Sequence, residues 1–122
     1  MLKLQKEQVD AFKLQALQQF LEQATKHLRL DLTEQTEVYT DAQLGHRVRS
    51  IIPRAGKYGL KTQREIMCFV DVSFLLGEHF DTDSSQPWAT DLLNSKKLSS
   101  GDRANLLLAT ACSVYRDIVL KR

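Results

Sequence analysis

Residues 58–88, YGLKTQREIMCFVDVSFLLGEHFDTDSSQPW, contain the longest apolar segment of the chain and its clearest start and stop signals. Thr62 is placed to accept a hydrogen bond from the Glu65 amide while the Glu65 side chain reaches back, the reciprocal capping-box arrangement, and Gly59 breaks the chain just before it. From Ile66 onward Phe69, Val70, Phe74 and Leu75 keep helical spacing. Met67, Cys68, Val72 and Leu76 make the segment apolar on nearly every side, the pattern of a helix surrounded by others. Gly77 suits a left-handed exit, and Asp81, Asp83, Ser84, Ser85 and Pro87 read as a loop that leads into another helix. A central helix is predicted from Thr62 to Leu76.

Working outward, Pro87 opens a short helix containing Trp88, Ala89, Leu92 and Leu93, with Trp88 as a local core anchor. Ser99 or Ser100 begins a last helix whose buried stripe is Ala104, Leu107, Leu108, Ala111, Tyr115, Ile118 and Val119. Upstream, Thr40 or Asp41 caps a helix carrying Leu44, Val48, Ile51, Ile52 and Ala55, in which Gly45 would permit close approach of a neighbouring backbone. Pro53 predicts a kink or an early end there, since it lacks an amide donor and clashes with the preceding turn, and Gly56 offers a further exit. A first helix is predicted from about Gln5 to Leu28, with Val9, Phe12, Ala16, Leu17, Phe20, Leu21, Ala24 and Leu28 at spacings of three and four. That stripe fits a core face and equally a dimer seam, so a homodimer stays open. The polar connection from Asp31 to Thr40 carries no clear pattern.

These segments predict an all-α single domain over residues 1–122, a compact irregular bundle of four longer helices and one short helix. No segment shows the period-two alternation of a strand, and no repeat or low-complexity linker divides the chain. At 122 residues, 43% apolar and 26% charged, the chain can bury a core without metals or disulfides. Its net charge of +2 does not argue for a nucleic-acid partner. No apolar run approaches the roughly 18 uncharged residues of a membrane span, and the lysines near the start interrupt any secretory core, so membrane insertion is not expected and the cytoplasm is the expected compartment. Cys68 and Cys112 lie within helical patterns without metal-ligand spacing, which predicts buried free thiols, although a bridge between them is geometrically open.

Charge placement says more than net charge. From Arg47 to Arg64 every charged residue is basic: Arg47, Arg49, Arg54, Lys57, Lys61 and Arg64. Then come Glu65, Asp71, Glu78, Asp81, Asp83 and Asp91, with no Lys or Arg before Lys96. Opposite local fields on a nearly neutral molecule can orient an encounter, and the same segregation also suits an ordinary solvated face. Candidate partner-binding residues are Arg47, Arg54, Lys57, Tyr58, Arg64, Asp81, Asp83 and Trp88. The arginines offer planar, multidonor contacts, and the aromatic rings serve as anchors if partly exposed.

Asp81, Asp83 and Ser85 follow the alternation of calcium-loop ligands only briefly. Gln86, Pro87 and Leu92 stand where an EF-hand needs its glycine, its continuing loop and its terminal Glu, so Asp81 or Asp83 is read instead as a cap for the Pro87 helix region or as negative surface. Asp71, amid Val70, Val72 and Phe74, must be paired if buried, because an unpaired core carboxylate costs roughly several kcal/mol. His27, His46 and His79 fall on three separate elements, and no nucleophile, metal or phosphate-binding motif is present; no cofactor or metal site is expected. A spatially assembled site such as His79 with Asp81 and Cys112 would make the protein a small enzyme.

The combination of Ala55, Tyr58-Gly59-Leu60, Thr62, Glu65, Phe69, Leu76-Gly77, Phe80-Asp81-Thr82-Asp83 and Pro87-Trp88-Ala89 resembles small uncharacterised helical proteins associated with bacterial type VI secretion effector clusters. Such clusters include accessory proteins that help effector loading and immunity proteins. The resemblance covers the middle third to half of the chain and carries no binding residue across. It implies a non-catalytic accessory or chaperone protein that binds a secreted effector, with an immunity protein that inhibits a toxin as the alternative.

Overall fold

Two reciprocal capping boxes set the starts of the inner helices. The Thr40 hydroxyl accepts from the Gln43 amide and the Gln43 side chain accepts from the Thr40 amide. Thr62 and Glu65 repeat the arrangement, as their spacing predicts. The computed structural model describes residues 6–121 and the side chains of residues 13–121. It is a compact all-α bundle: α1 (Lys6–Asp31), α2 (Thr33–Thr36), α3 (Asp41–Lys57), α4 (Gln63–Leu76), a 3-10 turn (Phe80–Thr82), α5 (Pro87–Leu93) and α6 (Ser100–Leu120). No strand occurs among the described residues.

The four longer helices and the short α5 match the sequence reading; α2 and the 3-10 turn do not appear in it. The four residues of α2, TEQT, have no apolar period. Their turn is held by side chains from elsewhere. Thr36 donates its hydroxyl to the Leu32 carbonyl at 2.8 Å, and the Arg29 guanidinium donates to the Thr36 and Tyr39 carbonyls, each at 2.6 Å. Arg29 also binds Asp41 at the start of α3, so one guanidinium clamps the whole connection.

Pro53 does not end α3, which continues to Lys57. Pro53 and the preceding Arg49, whose carbonyl loses its helical donor, both lie on the exposed side of the helix. Nor is Gly56 the exit. The Leu60 amide donates to the Ala55 carbonyl and the Gly59 amide to the Gly56 carbonyl, a Schellman closure with Gly59 at φ 81°. Ala55 and Leu60, both buried, supply the apolar contact that accompanies this motif. Gly45 differs from its expectation too: an added Cβ would meet nothing within 4 Å, so no backbone approaches it.

Helix α4 packs against α1, α3 and α6. Cys68, Phe69, Val70, Asp71, Val72 and Ser73 are consecutive buried residues, the burial its all-round apolar pattern requires. Phe69 is central, with ring centroids 6.0 Å from Tyr58 and 4.8 Å from Phe80. Glu65 is buried as well; its carboxylate accepts from the Lys61 amide at 3.0 Å and from the Ser100 hydroxyl at 3.1 Å. The N-terminus of α6 is thereby tied to that of α4.

Both terminal helices run parallel to α4 and extend past it. Phe20 shares a hollow with Gln63 and Arg64 at the start of α4, whereas His27 meets Asp71 farther along. On α6, Ser100 meets Glu65, while Cys112 and Tyr115 line a groove with Leu75. Burial follows from this register. On α1 it includes Phe20, Ala24 and Leu28, but Ala16 is exposed, and Val9 and Phe12 lie outside the described side chains. On α6 it includes Ala104, Leu107 and Ala111, but Ile118 and Val119 are exposed, contrary to the sequence stripe. A helix of 21 residues beside one of 14 must outrun it, by about 10 Å at 1.5 Å per residue.

Replacing Phe69 with Ala should cost about 3–5 kcal/mol in urea unfolding. Phe74→Ala should cost less, because that ring is only half-buried. Equal losses at the two positions would contradict the packing described. Glu65 gives a pH signature: the Lys61 amide above all, then the Thr62 amide and the Ser100 hydroxyl, hold its carboxyl below the ordinary value of 4.5, against the opposing effect of burial. Its folded pKa is depressed, so its contribution is present above pH 4.5 and fades as pH falls through the folded value. Stability measured across this range should fall less steeply in Glu65→Gln than in the native chain.

Candidate interaction surface

The basic stretch and the acidic loop do meet in space, through bonds within the chain. Arg54, on the last turns of α3, donates one terminal nitrogen to the Asp81 carboxylate and to the Glu78 carbonyl, the latter at 2.8 Å. The Tyr58 hydroxyl donates to the other Asp81 oxygen at 2.9 Å, and the Thr90 hydroxyl donates to the Asp81 carbonyl. Asp81 is buried, Arg54 and Tyr58 partly so. Burial, followed by the hydrogen bond to Asp81, pushes the Tyr58 phenol up to about 12. Tyr58 is therefore a neutral donor throughout the physiological range. The cluster pins the 3-10 turn and the first part of α5 onto the end of α3.

The remaining candidate residues are dispersed. Lys57 is exposed beyond the cluster. Arg64 is exposed at the start of α4 and donates to the Asn105 side chain of α6. Asp83 accepts from the amide and hydroxyl of Ser85, at 2.9 and 2.7 Å, which holds its carboxyl below the usual range. It does not cap α5, whose N-cap is Gln86 without a side-chain cap bond. Trp88 is half-buried against the core, as expected of a local anchor.

Arg47 stands apart from Arg54. Its guanidinium lies 4.0 Å from the Phe74 ring centroid and 5.9 Å from that of Tyr39, and one terminal nitrogen donates to the Ser73 carbonyl. No carboxylate among the described residues pairs with it. It lines a cleft of about 300 Å³ with Tyr39, Gln43, Leu44, His46, Ser50 and Glu78. One residue from each charge block, Arg47 and Glu78, lies on the wall of this cleft.

Asp71 is buried and paired. Both its oxygens lie 2.9 Å from Nε2 of His27, whose Nδ1 lies 3.0 Å from Asp31. An imidazole donates to both carboxylates at once only when both nitrogens carry protons. Burial, opposed by the His27 contact, pushes the Asp71 carboxyl up from its ordinary value. Sequence spacing conceals this contact, because His27 and Asp71 are 44 residues apart.

Cys68 is buried, with its thiol pushed up by that burial, whereas Cys112 is exposed; both are free. Cys112 lines the groove of about 350 Å³ formed by Leu75, Tyr115, Arg116, Val119 and Leu120. No hydrogen bond among the described residues joins His79, Asp81 and Cys112, and both Asp81 oxygens serve Arg54 and Tyr58. Among the described residues no group of three or more His, Cys, Asp or Glu side chains is arranged to hold a metal ion, and no helix is long and apolar enough to cross a membrane.

No family model, curated protein or solved structure matches the chain.

The buried Asp81 cluster makes a stability prediction. Asp81→Ala strands Arg54 and removes the Tyr58 acceptor, and should cost about 3–5 kcal/mol. The double variant Arg54→Met with Asp81→Leu, which removes both charges, should recover much of that loss in chemical unfolding. A double variant as unstable as the sum of the single ones would dissolve the proposed coupling.

Proposed function

We propose that this protein acts without turnover by binding another protein, as an accessory or chaperone protein of a bacterial effector delivery system in the cytoplasm. The reading is carried by exposed apolar side chains near the end of α1, in the connection before α3 and on the last turn of α6, elements joined by the Gln35 and Tyr115 side chains. Leu30 is 79% exposed, Val38 78%, Ile118 47%, Val119 41% and Leu120 74%. Two contacts tie the elements that carry them. Leu30 is in the last turn of α1, Val38 precedes Tyr39, Tyr39 packs on Phe74 at 5.9 Å, and the Gln35 amide donates to the Tyr115 hydroxyl of α6 at 3.0 Å. Next to them runs the groove bounded by Leu75 and Val119.

Scattered single apolar residues need no explanation, but a group rimmed by polar side chains marks a surface that another molecule covers. The polar groups best able to do chemistry support the same reading. His27 is engaged by Asp31 and Asp71, and Asp81 by Arg54 and Tyr58. Apolar cover is what a helper of effector delivery would supply to an effector segment that must stay out of water before loading.

The test is affinity capture from native cell extract with the full chain and with a Val119→Asp, Leu120→Asp variant. Both positions are exposed, so unfolding should change by less than about 1 kcal/mol. The expected result is one specific protein retained by the native chain and lost by the variant, with the interaction then reproduced between purified proteins. A delivered effector as the captured protein supports the accessory role; a toxin whose activity is blocked makes the protein an immunity protein instead. Equal recovery by both chains removes this part of α6 as the binding surface.

A further inference from the structure

Arg47 is a partly buried cation that pairs with no carboxylate among the described residues. Of the other partly buried arginines, Arg54 has the Asp81 carboxylate and Arg29 has Asp41, while Arg103 shares with Arg47 a buried Nε without an acceptor but lines no cleft with it. Arg47 has instead the face of Phe74, the edge of the Tyr39 contact and a single backbone carbonyl. Its Nε is buried with no acceptor, and its second terminal nitrogen makes no hydrogen bond among the described residues. A guanidinium stacked in this way is held at a fixed angle, with little rotamer freedom left to lose when an acceptor arrives.

The walls of the cleft add side-chain donors. The Gln43 side-chain oxygen is committed to the Thr40 amide at 2.9 Å, so the capping box leaves the Gln43 amide hydrogens unbonded. His46, one turn along α3 and exposed, supplies a ring N–H at the rim. Glu78 is the one acid on the cleft wall; its carboxylate makes no ion pair among the described residues. The free terminal nitrogen of Arg47 and the Gln43 amide, held by its capping bond, complement a carboxylate, which can take one N–H bond on each oxygen.

We propose that this cleft receives the carboxylate of an acidic side chain on the partner protein, with Arg47 as its anchor and Gln43 as a second donor. This rests on the protein-binding reading and adds the chemistry of one contact. The cleft adjoins the connection that carries Val38, because Tyr39 lies on its wall and packs on Phe74. A partner spanning that connection would place apolar residues on α6 and an acidic residue over α3.

The site is tested on the isotopically labelled full chain by following the Arg47 Nε–H and Gln43 side-chain amide signals. The probe is aspartate capped as N-acetyl and N-methylamide; the controls are the equally capped asparagine and sodium chloride at matched ionic strength. Saturable shifts with the aspartate compound alone are expected. Arg47→Gln should weaken binding by about tenfold, the loss of a charge-assisted pair. Because Arg47 also packs on Phe74, Glu78→Gln provides a second variant: its side chain holds nothing in place, and removing its charge should tighten binding about twofold. Matching shifts with asparagine or chloride would overturn the proposal, as would an affinity unchanged by Glu78→Gln together with retention in a folded Arg47→Gln chain. These results are separable from the capture experiment, whose substitutions lie on α6. Capture lost on α6 mutation, with no aspartate binding here, would keep the protein-binding reading and discard only the carboxylate contact.

Discussion

A helix that is apolar on almost every face can be stable in water only when other elements cover all of it, and α4 imposes that condition on the rest of the chain. It is short, 14 residues, yet it must be enclosed by α1, α3 and α6. Its few polar groups are then the points where enclosure needs chemistry as well as area. Glu65 receives backbone and hydroxyl donors, Asp71 receives His27, and the Ser73 hydroxyl donates to the Val70 carbonyl at 2.6 Å. Each such bond removes a desolvation penalty of about 1–3 kcal/mol that an unpaired buried group would carry.

The covering elements also determine what is left outside. Helices longer than the one they enclose leave residues with nothing to pack on, and the C-terminal turns of α6 are the clearest case. The stripe itself continues unchanged through Ile118 and Val119; what ends is α4. Exposed apolar residues on α6 thus arise from a mismatch of lengths, while the clamp of Arg29 fixes the connection between α1 and α3.

The arginines show how one residue type takes different roles according to the neighbours the fold provides. Arg54 staples the acidic turn to α3, Arg29 organises a loop, Arg64 reaches a polar side chain at the surface, and Arg47 rests on an aromatic ring. Reading the basic block as one surface merges these cases. A block of like charges in sequence lies partly around a helix and partly in a turn, so its members separate by several ångströms and point to different environments.

What the sequence determined by itself is local. The Thr62 and Glu65 pair, the Pro87 start, the all-round apolar segment and the need for Asp71 to be paired were legible because capping, backbone restriction and desolvation act within a few residues. The tertiary structure decided the rest. It chose His27 as the partner of Asp71 across 44 residues, carried α3 through Pro53 and Gly56 to close at Gly59, and folded a one-turn helix from TEQT. It also engaged Arg54, Tyr58 and Asp81 with one another while giving Arg47 an aromatic face and no carboxylate among the described residues. Helical periodicity states which side of a helix is apolar, but only the lengths and crossings of the neighbouring helices settle how much of that side is covered and which distant charges meet.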